Sequence, residues 1–233
     1  VMFDELARMT GIGPGSRVLE IGAGTGIATR ELARRKYDIT AVEPGLAMAA
    51  IARSHAPRVH FEIATFEKWS DSYDGEPFDL VFSATAFHWL DRETRYARCA
   101  RLLKRGGHLA TLEYTHVDGG DRPFFAAAQA CYVEHVPGTP EGQTLPPWDA
   151  QPDTTEIIAS PEFDLVGTRQ IYEEIPSTRT GYLALIDTYS PMLALDDEHR
   201  NRLYDCLGTL IDRDYDGKIR KAYRHELLVA RRH

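Results

Sequence analysis

Three glycines at alternate positions, Gly22, Gly24 and Gly26, follow the short apolar run Arg17-Val18-Leu19-Glu20-Ile21, which carries an acid, Glu20, two residues before the first of them. Glycines so spaced at a strand-to-helix turn adopt backbone angles closed to other residues and let a ligand approach the main chain. The helix that follows offers free N–H groups to a carboxylate or a phosphate. A second acid, Glu43, stands 21 residues after Gly22 at the end of another apolar run. There a carboxylate can accept from both hydroxyls of a ribose. The pattern is that of a nucleotide cofactor site, and two kinds compete. A dinucleotide site wants G-x-G-x-x-G, and its third glycine would fall at position 27, where Ile27 stands. Glu43 suits either kind, so Ile27 separates them. A tight turn without a ligand is the plain alternative, and the density of glycines speaks against it.

The elements that must hold these groups alternate. Arg17 to Ile21 reads as a first strand, Thr25 to Lys36 as a helix, Asp38 to Val42 as a second strand, and Gly45 to His55 as a second helix. Arg58 to Ile63 and Phe78 to Phe82 read as strands three and four. A helix from Arg92 to Lys104 follows, with Tyr96, Cys99, Ala100 and Leu103 on one buried face. Gly106-Gly107 reads as its stop and His108 to Glu113 as strand five. Strands separated by helices imply parallel βαβ units in a doubly wound α/β sheet. Beyond Val117 the texture changes. Arg122 to Val136 reads as a helix with Phe124, Ala128 and Cys131 on one face, and 137–161 is too rich in proline for regular structure. Leu165 to Ile175 reads as a strand, Thr180 to Tyr189 and Asp197 to Ile211 as helices, and Lys221 to Ala230 as a last strand. In that strand Tyr223, His225, Leu227 and Val229 share a face. An irregular stretch such as 117–161, with its leading helix, reads as a lid or a substrate-side insertion on a single domain spanning 1–233.

Val18–Gly26, Ala41-Val42-Glu43-Pro44-Gly45, Phe78-Asp79-Leu80-Val81, Phe87-His88-Trp89 and Leu102-Leu103-Lys104-Arg105-Gly106-Gly107 follow in order. They resemble successive motifs of the class I S-adenosylmethionine-dependent methyltransferases, in the small-molecule branch of type 11 that includes ubiquinone-biosynthesis and trans-aconitate enzymes. The match covers about residues 15–113, which the resemblance makes the cofactor-binding core. It implies a Rossmann-like, mostly parallel seven-stranded sheet with its last strand antiparallel, and S-adenosyl-L-methionine as cofactor. On the same ground Glu20, Gly22, Ala23, Gly24, Thr25 and Gly26 line the methionine and ribose, Glu43 with Pro44 holds the ribose, and Met48 packs near adenine. Relatives carry an acid after strand three for the adenine amino group, whereas Ala64 and Thr65 stand there in this chain. The Thr65 hydroxyl, backbone groups or stacking on Phe66 are the substitutes. Ser83, Ala84, Phe87 and His88 fall near the sulfonium and the acceptor.

Methyl transfer of this kind is an in-line displacement. Alignment of the two reactants can supply ~7–11 kcal/mol, and a positioned base adds about 10²–10⁴-fold where the acceptor carries a proton. His88, just past strand four at the sheet edge where open α/β folds bind ligands, is the candidate base. It serves equally as a group that orients substrate or ties down the loop. Trp89, Tyr114, His116, Trp148, Tyr182 and Tyr189 are the aromatic candidates for the acceptor side. A NAD(P)-dependent oxidoreductase and a binding module that keeps S-adenosylmethionine without chemistry are the alternatives.

Bulk properties narrow the partners. With 35 acidic and 27 basic side chains among 233 residues the net charge is −8, against what a nucleic-acid binder needs. The basic runs Arg34-Arg35-Lys36, Lys104-Arg105 and Arg231-Arg232 read as solvated helix ends and a terminus. No apolar run approaches the ~18 residues of a membrane span and no signal peptide is visible. The expected acceptor is thus a small molecule and the expected compartment the cytoplasm. Cys99, Cys131 and Cys206 are widely spaced and odd in number, so no disulfide and no zinc site is expected, only small buried apolar residues. The chain opens on Val1, 17 residues before Val18, and an N-terminal closing segment is expected to be incomplete.

Overall fold

The computed structural model describes residues 1–233, except for the side chains of Ser190 and Leu193. In chain order the elements are α1 (Met2–Thr10), β1 (Arg17–Ile21), α2 (Ile27–Arg34), β2 (Asp38–Val42), α3 (Leu46–His55), β3 (His60–Glu62), α4 (Phe66–Ser72) and β4 (Phe78–Ala84). A short 3-10 turn at Phe87–Trp89 precedes α5 (Arg95–Leu102) and β5 (Leu103–His116). The remainder is α6 (Arg122–His135), α7 (Thr155–Ala159), β6 (Phe163–Thr178), α8 (Arg179–Asp187), α9 (Ser190–Leu193), α10 (Asp197–Asp214) and β7 (Lys218–Arg232).

The strands form one seven-stranded sheet in the order β3-β2-β1-β4-β5-β7-β6, with β7 antiparallel and inserted beside β5. β1 pairs in parallel with β2 and β4, β2 with β3, and β4 with β5. Strands buried on both faces read as continuous apolar runs, and β1 is such a strand. Its alternate residues feed opposite cores: Leu19 and Ile21 pack with Val81, Phe78 and Phe66, while Val18 packs with Leu80, Phe82, Leu32 and Leu6 of α1. The register sets Ile21 opposite both Val42 and Ser83, so the carboxyl ends of β1, β2 and β4 finish level. That edge is where an open α/β sheet binds its ligand.

Contacts divide the chain into two compact units. The first comprises Val1–Tyr114, Gln151–Ile171 and His225–His233; the second comprises Thr115–Ala150 and Tyr172–Arg224. In the second, α6, α8 and α10 bury Phe124, Ala128, Cys131, Tyr182, Ile186, Leu203, Leu207 and Ile211 in a core of their own. The face of α6 expected to be buried is the one observed. Its cysteine corrects the sequence reading, for Cys131 and Cys206 form a disulfide across α6 and α10. The two are 75 residues apart and meet only because both helices turn the same core inward. Cys99 is free and buried in the first unit, where burial drives its thiol pKa well up.

β3 is shorter than expected and β5, β6 and β7 are longer, and two further boundaries move for physical reasons. The helix expected over Arg92–Lys104 spans only Arg95–Leu102, and β5 begins at Leu103 with no intervening loop. Gly106-Gly107 is therefore no helix stop. Gly106 takes φ +74°, and a Cβ on Gly107 would lie 2.9 Å from the Lys104 carbonyl, at a register shift between Phe78 and Leu80. The first helix starts at Ile27 rather than Thr25 because the three glycines, all at positive φ, hold the turn open to Gly26. α1, α4 and α9 were not expected, nor was α7, a short helix inside the stretch 137–161 that its prolines had marked as irregular. Among the described residues no helix is long and apolar enough to cross a membrane.

Candidate cofactor site and catalytic edge

The glycine turn is a backbone device before it is a binding site. Gly22, Gly24 and Gly26 have φ of 71°, 55° and 85°, the left-handed region that side chains disfavour. A Cβ at Gly22 would stand 2.3 Å from that of Ala86, and one at Gly26 would stand 2.9 Å from Ala52, so both glycines are also sterically required. At Gly24 nothing lies within 4 Å, and the turn is open there. All three glycine amides are engaged. The Gly22 N–H donates to the Val42 carbonyl at 2.8 Å and the Gly26 N–H to that of Ala23 at 2.9 Å. The Gly24 N–H donates to Glu43 Oε2 at 2.8 Å, and the other carboxyl oxygen of Glu43 accepts from the Gly45 N–H at 2.7 Å. Glu43 is only 3% exposed and lines a cavity, and each of its carboxyl oxygens keeps a lone pair beyond the one that accepts from the backbone.

That cavity, in the first unit, has a volume of about 410 Å³. Of the residues singled out from the sequence, Gly22, Gly24, Glu43, Pro44, Met48, Thr65, Phe66, Ala84 and Trp89 line it. Ile21, Val42, Glu67, Thr85, Ala86 and Leu90 complete the wall. Others stand behind it or apart from it. Ala23, Thr25 and Gly26 shape the turn without lining the cavity. Ser83 is fully buried and donates its hydroxyl to the Ile21 carbonyl at 3.1 Å. Phe87 packs inward against Tyr96, with the Arg95 guanidinium over its ring. The Thr65 hydroxyl caps α4 by accepting from the Lys68 N–H at 3.4 Å, which leaves its own proton to give.

Glu20 is buried beneath the turn, and burial pushes its carboxyl up to about 8. Thr29 partly offsets this and the neighbouring Glu43 adds to it. The Thr29 hydroxyl is near but misdirected: neither it nor Glu20 Oε2 has a partner in hydrogen-bond geometry. A buried carboxyl with a free oxygen is costly unless something donates to it. Glu20 does not itself line the cavity, and its unpartnered oxygen is sealed from solvent.

Thr85 is the strained residue of the site. It closes β4 at φ 53°, an angle rare for a β-branched side chain, with its N–H donating to the Leu112 carbonyl at 2.8 Å. The kink turns the chain along the cavity wall and into the 3-10 turn that carries His88. His88 does not line the cavity. It lies one residue from Trp89, which does, and its Nδ1 is 3.5 Å from Glu113 Oε1. Burial raises the Glu113 pKa, with His88 opposing the rise. The pair arises from the β4–β5 register, which sets Ala84 opposite Leu112.

Sequence reasoning missed Glu113, Glu67 and Thr85. For Glu113 the register of two parallel strands was the missing fact; for Glu67, the existence of α4, which swings it over the cavity. The acceptor-side candidates scatter. Tyr114 is exposed with its ring 6.3 Å from that of His225, and Trp148 is exposed with its edge against Tyr172. His116, Tyr182 and Tyr189 line a separate cavity of about 790 Å³ within the second unit.

Residues 18–107 match the family profile described as methyltransferase domain. An uncharacterized methyltransferase of Mycobacterium tuberculosis is 37% identical over 93 residues, 40% of this chain and 37% of that one. A ubiquinone biosynthesis O-methyltransferase of Alkalilimnicola ehrlichii is 34% identical over 111 residues, covering 46% of this chain and 44% of its own length. The chain thus spans less than half the length of these curated relatives. Among solved structures, a provisionally named type II methyltransferase of Anaeromyxobacter dehalogenans aligns over 97% of this chain and 95% of its own, with TM-score 0.64 and 22% identity. A 4+2 cyclase, SpnF, aligns over 99% of this chain and 79% of its own, with TM-score 0.55 and 18% identity. Residues 18–107 thus resemble a methyltransferase domain, and the chain shares the fold of these solved structures.

Proposed function

We propose that this chain transfers a methyl group from S-adenosyl-L-methionine to a small-molecule acceptor. The observation that carries the reading is Glu43. A buried carboxylate already occupies the Gly24 amide, the donor on which a dinucleotide pyrophosphate would sit, and it would repel that phosphate at close range. The same carboxylate keeps lone pairs for two ribose hydroxyls. Glu20 stands outside the cavity wall, and its assignment to the ammonium of the methionine part follows from the family resemblance. A cationic nucleoside fits this lining and an anionic dinucleotide does not, so the oxidoreductase alternative is set aside.

When bound, the cofactor supplies an electrophilic methyl on a sulfonium. The residues of this chain do the rest. Met48 and Phe66 pack against the base, Glu67 accepts from its amino group in place of an acid at position 64 or 65, and Thr65 donates its hydroxyl. Trp89, itself exposed, and Leu90 form the outer wall of the cavity. His88, oriented by Glu113, receives the proton of an acceptor hydroxyl or amine, a step a carboxylate acceptor does not require. The ubiquinone-biosynthesis relative transfers to oxygen by name, which makes a hydroxyl the acceptor group to test first.

Isothermal titration calorimetry with S-adenosylmethionine and S-adenosylhomocysteine tests the reading, with Glu43→Gln as the matched variant. Both ligands should bind the unaltered chain and lose about tenfold or more on Glu43→Gln, the scale of a charge-assisted hydrogen bond. A flat trace with both ligands on folded protein removes the proposal. Because the cyclase SpnF shares the fold, turnover of labelled methyl must then decide between transfer and binding alone.

A further inference from the structure

The second unit contains a cavity that the cofactor site does not use. It holds about 790 Å³, within the range of sites that enclose drug-sized ligands. Its walls are mixed: Phe125, Tyr132, Ile186 and Met192 give an apolar part, and Asp118, Arg122, Gln143 and Thr144 a polar one. Three of the residues that line it carry polar groups that the fold leaves incompletely served.

The first is Lys221 on β7. It is 4% exposed and lines the cavity, and its Nζ donates to the Tyr189 hydroxyl at 2.7 Å. The rings of Tyr189 and Tyr223 lie 5.1 and 5.2 Å from the ammonium, in cation–π range. Among the described residues no carboxylate stands within ion-pair distance of it. Asp118, on the same wall, is paired with Arg122 at 3.0 Å. Burial lowers the Lys221 pKa to about 8, which leaves most of the population charged at pH 7. The second group is His116, whose buried Nε2 has no partner and whose pKa is held down to about 3 by burial and by Lys221. It is therefore neutral, with one ring nitrogen free to accept or to donate. The third is Gln129, whose amide oxygen is buried without a partner.

A buried cation without a counter-charge is expensive, and so is each unserved polar atom. A structural lysine in such a place is normally paired with a carboxylate of its own chain. We propose that this cavity binds an amphipathic organic acid: its anionic oxygen meets the Lys221 ammonium, its apolar or aromatic body lies between Phe125, Tyr132 and Met192, and its hydroxyl is held by His116 Nε2 and Gln129 Oε1. The site is a matter of binding alone and goes beyond the methyltransferase reading, since no cofactor and no chemistry enter it.

The test is calorimetry in the absence of any cofactor, with two probes of different size, 4-hydroxycinnamate and 3-hydroxy-2-naphthoate, each against its neutral methyl ester. At pH 7 at least one acid should bind about tenfold or more tightly than its ester, the scale of one charge-assisted hydrogen bond. Lys221→Met should abolish that preference while S-adenosylhomocysteine binding and the circular dichroism spectrum remain those of the unaltered chain. Lys221→Arg should restore part of it. Should Lys221→Met fail to fold, Gln129→Leu should still weaken the hydroxylated acid relative to unsubstituted cinnamate. Equal binding of acid and ester, no binding of either acid to the folded chain, or an acid preference that survives Lys221→Met each overturns the proposal. Failure here with intact S-adenosylhomocysteine binding leaves the methyltransferase reading standing, and the converse result separates them the other way.

Discussion

Glu20 and Glu43 are both nearly without solvent, and they differ by what donates to them. Glu43 takes two backbone N–H groups; Glu20 keeps an oxygen without a partner, and burial pushes its pKa up to about 8. The folded value lies above the unfolded one, near 4.5, so in the window between them the unfolded chain sheds a proton that the folded chain keeps. Stability is accordingly full below about 4.5, falls by up to about 1.4 kcal/mol per pH unit as pH rises, and levels off beyond about 8. Glu20→Gln should flatten urea denaturation midpoints measured across that window; an unchanged slope would assign the pH dependence elsewhere. A cation arriving at Glu20 should also expel its proton. The binding enthalpy of S-adenosylmethionine near pH 7 should then depend on the ionisation enthalpy of the buffer, and cease to do so in Glu20→Gln. The other sharp residue is His88. If it takes a proton, His88→Ala should lower kcat by about 10²–10⁴-fold and remove the acid limb of the kcat profile, with KM little changed. Near-normal turnover with both substrates saturating assigns His88 to orientation only.

Strands and helices were legible where the chain's local pattern has no rival. β1 and β2 run over the residues read for them because a short apolar run ends in glycine or a polar residue on both sides. α5 and β5 were misjudged at their join, since Leu102 and Leu103 serve a helix and a strand in succession and two glycines mimic a helix stop. Within the candidate site the turn and Glu43 were visible because both sit at strand ends fixed by spacing. Glu113 and Glu67 were not, because their approach to the site depends on the parallel register and on a short helix with little periodicity. The disulfide escaped for the same reason at greater range: Cys131 read correctly as a buried position on α6, but nothing local announces α10 as its neighbour. Linking positions 75 residues apart restricts the unfolded chain and, by loop entropy, stabilises the fold by about 4 kcal/mol, with 2–4 kcal/mol usual in practice. Reduction, or Cys131→Ser with Cys206→Ser, should lower the melting temperature of the chain by several degrees. S-adenosylhomocysteine affinity should hold, because the disulfide lies in the second unit and the cofactor cavity in the first. Loss of that affinity on reduction would show that the two are energetically tied.

At the scale of the whole molecule the charge balance and the cofactor reading make one joint demand. A chain of net charge −8 is a poor partner for polyanions, and its candidate cofactor cavity presents the buried acid Glu43 where a free Gly24 amide would otherwise stand. A ligand that binds only the folded state raises stability by about 2.7 kcal/mol at a concentration one hundred times its Kd. For a chain of this length each kcal/mol moves the melting temperature by about 2–4 °C. S-adenosylmethionine and S-adenosylhomocysteine at that excess should therefore raise Tm by about 5–11 °C, whereas millimolar NADH or NADPH should leave it unmoved. The comparison between the two nucleosides carries further information. If Glu20 serves the ammonium common to both, their shifts should be similar and both should shrink in Glu20→Gln. Were the nicotinamide nucleotides to stabilise the chain instead, the carboxylate on the Gly24 amide would have to yield to a pyrophosphate, and the electrostatic case for a cationic cofactor would fall with it.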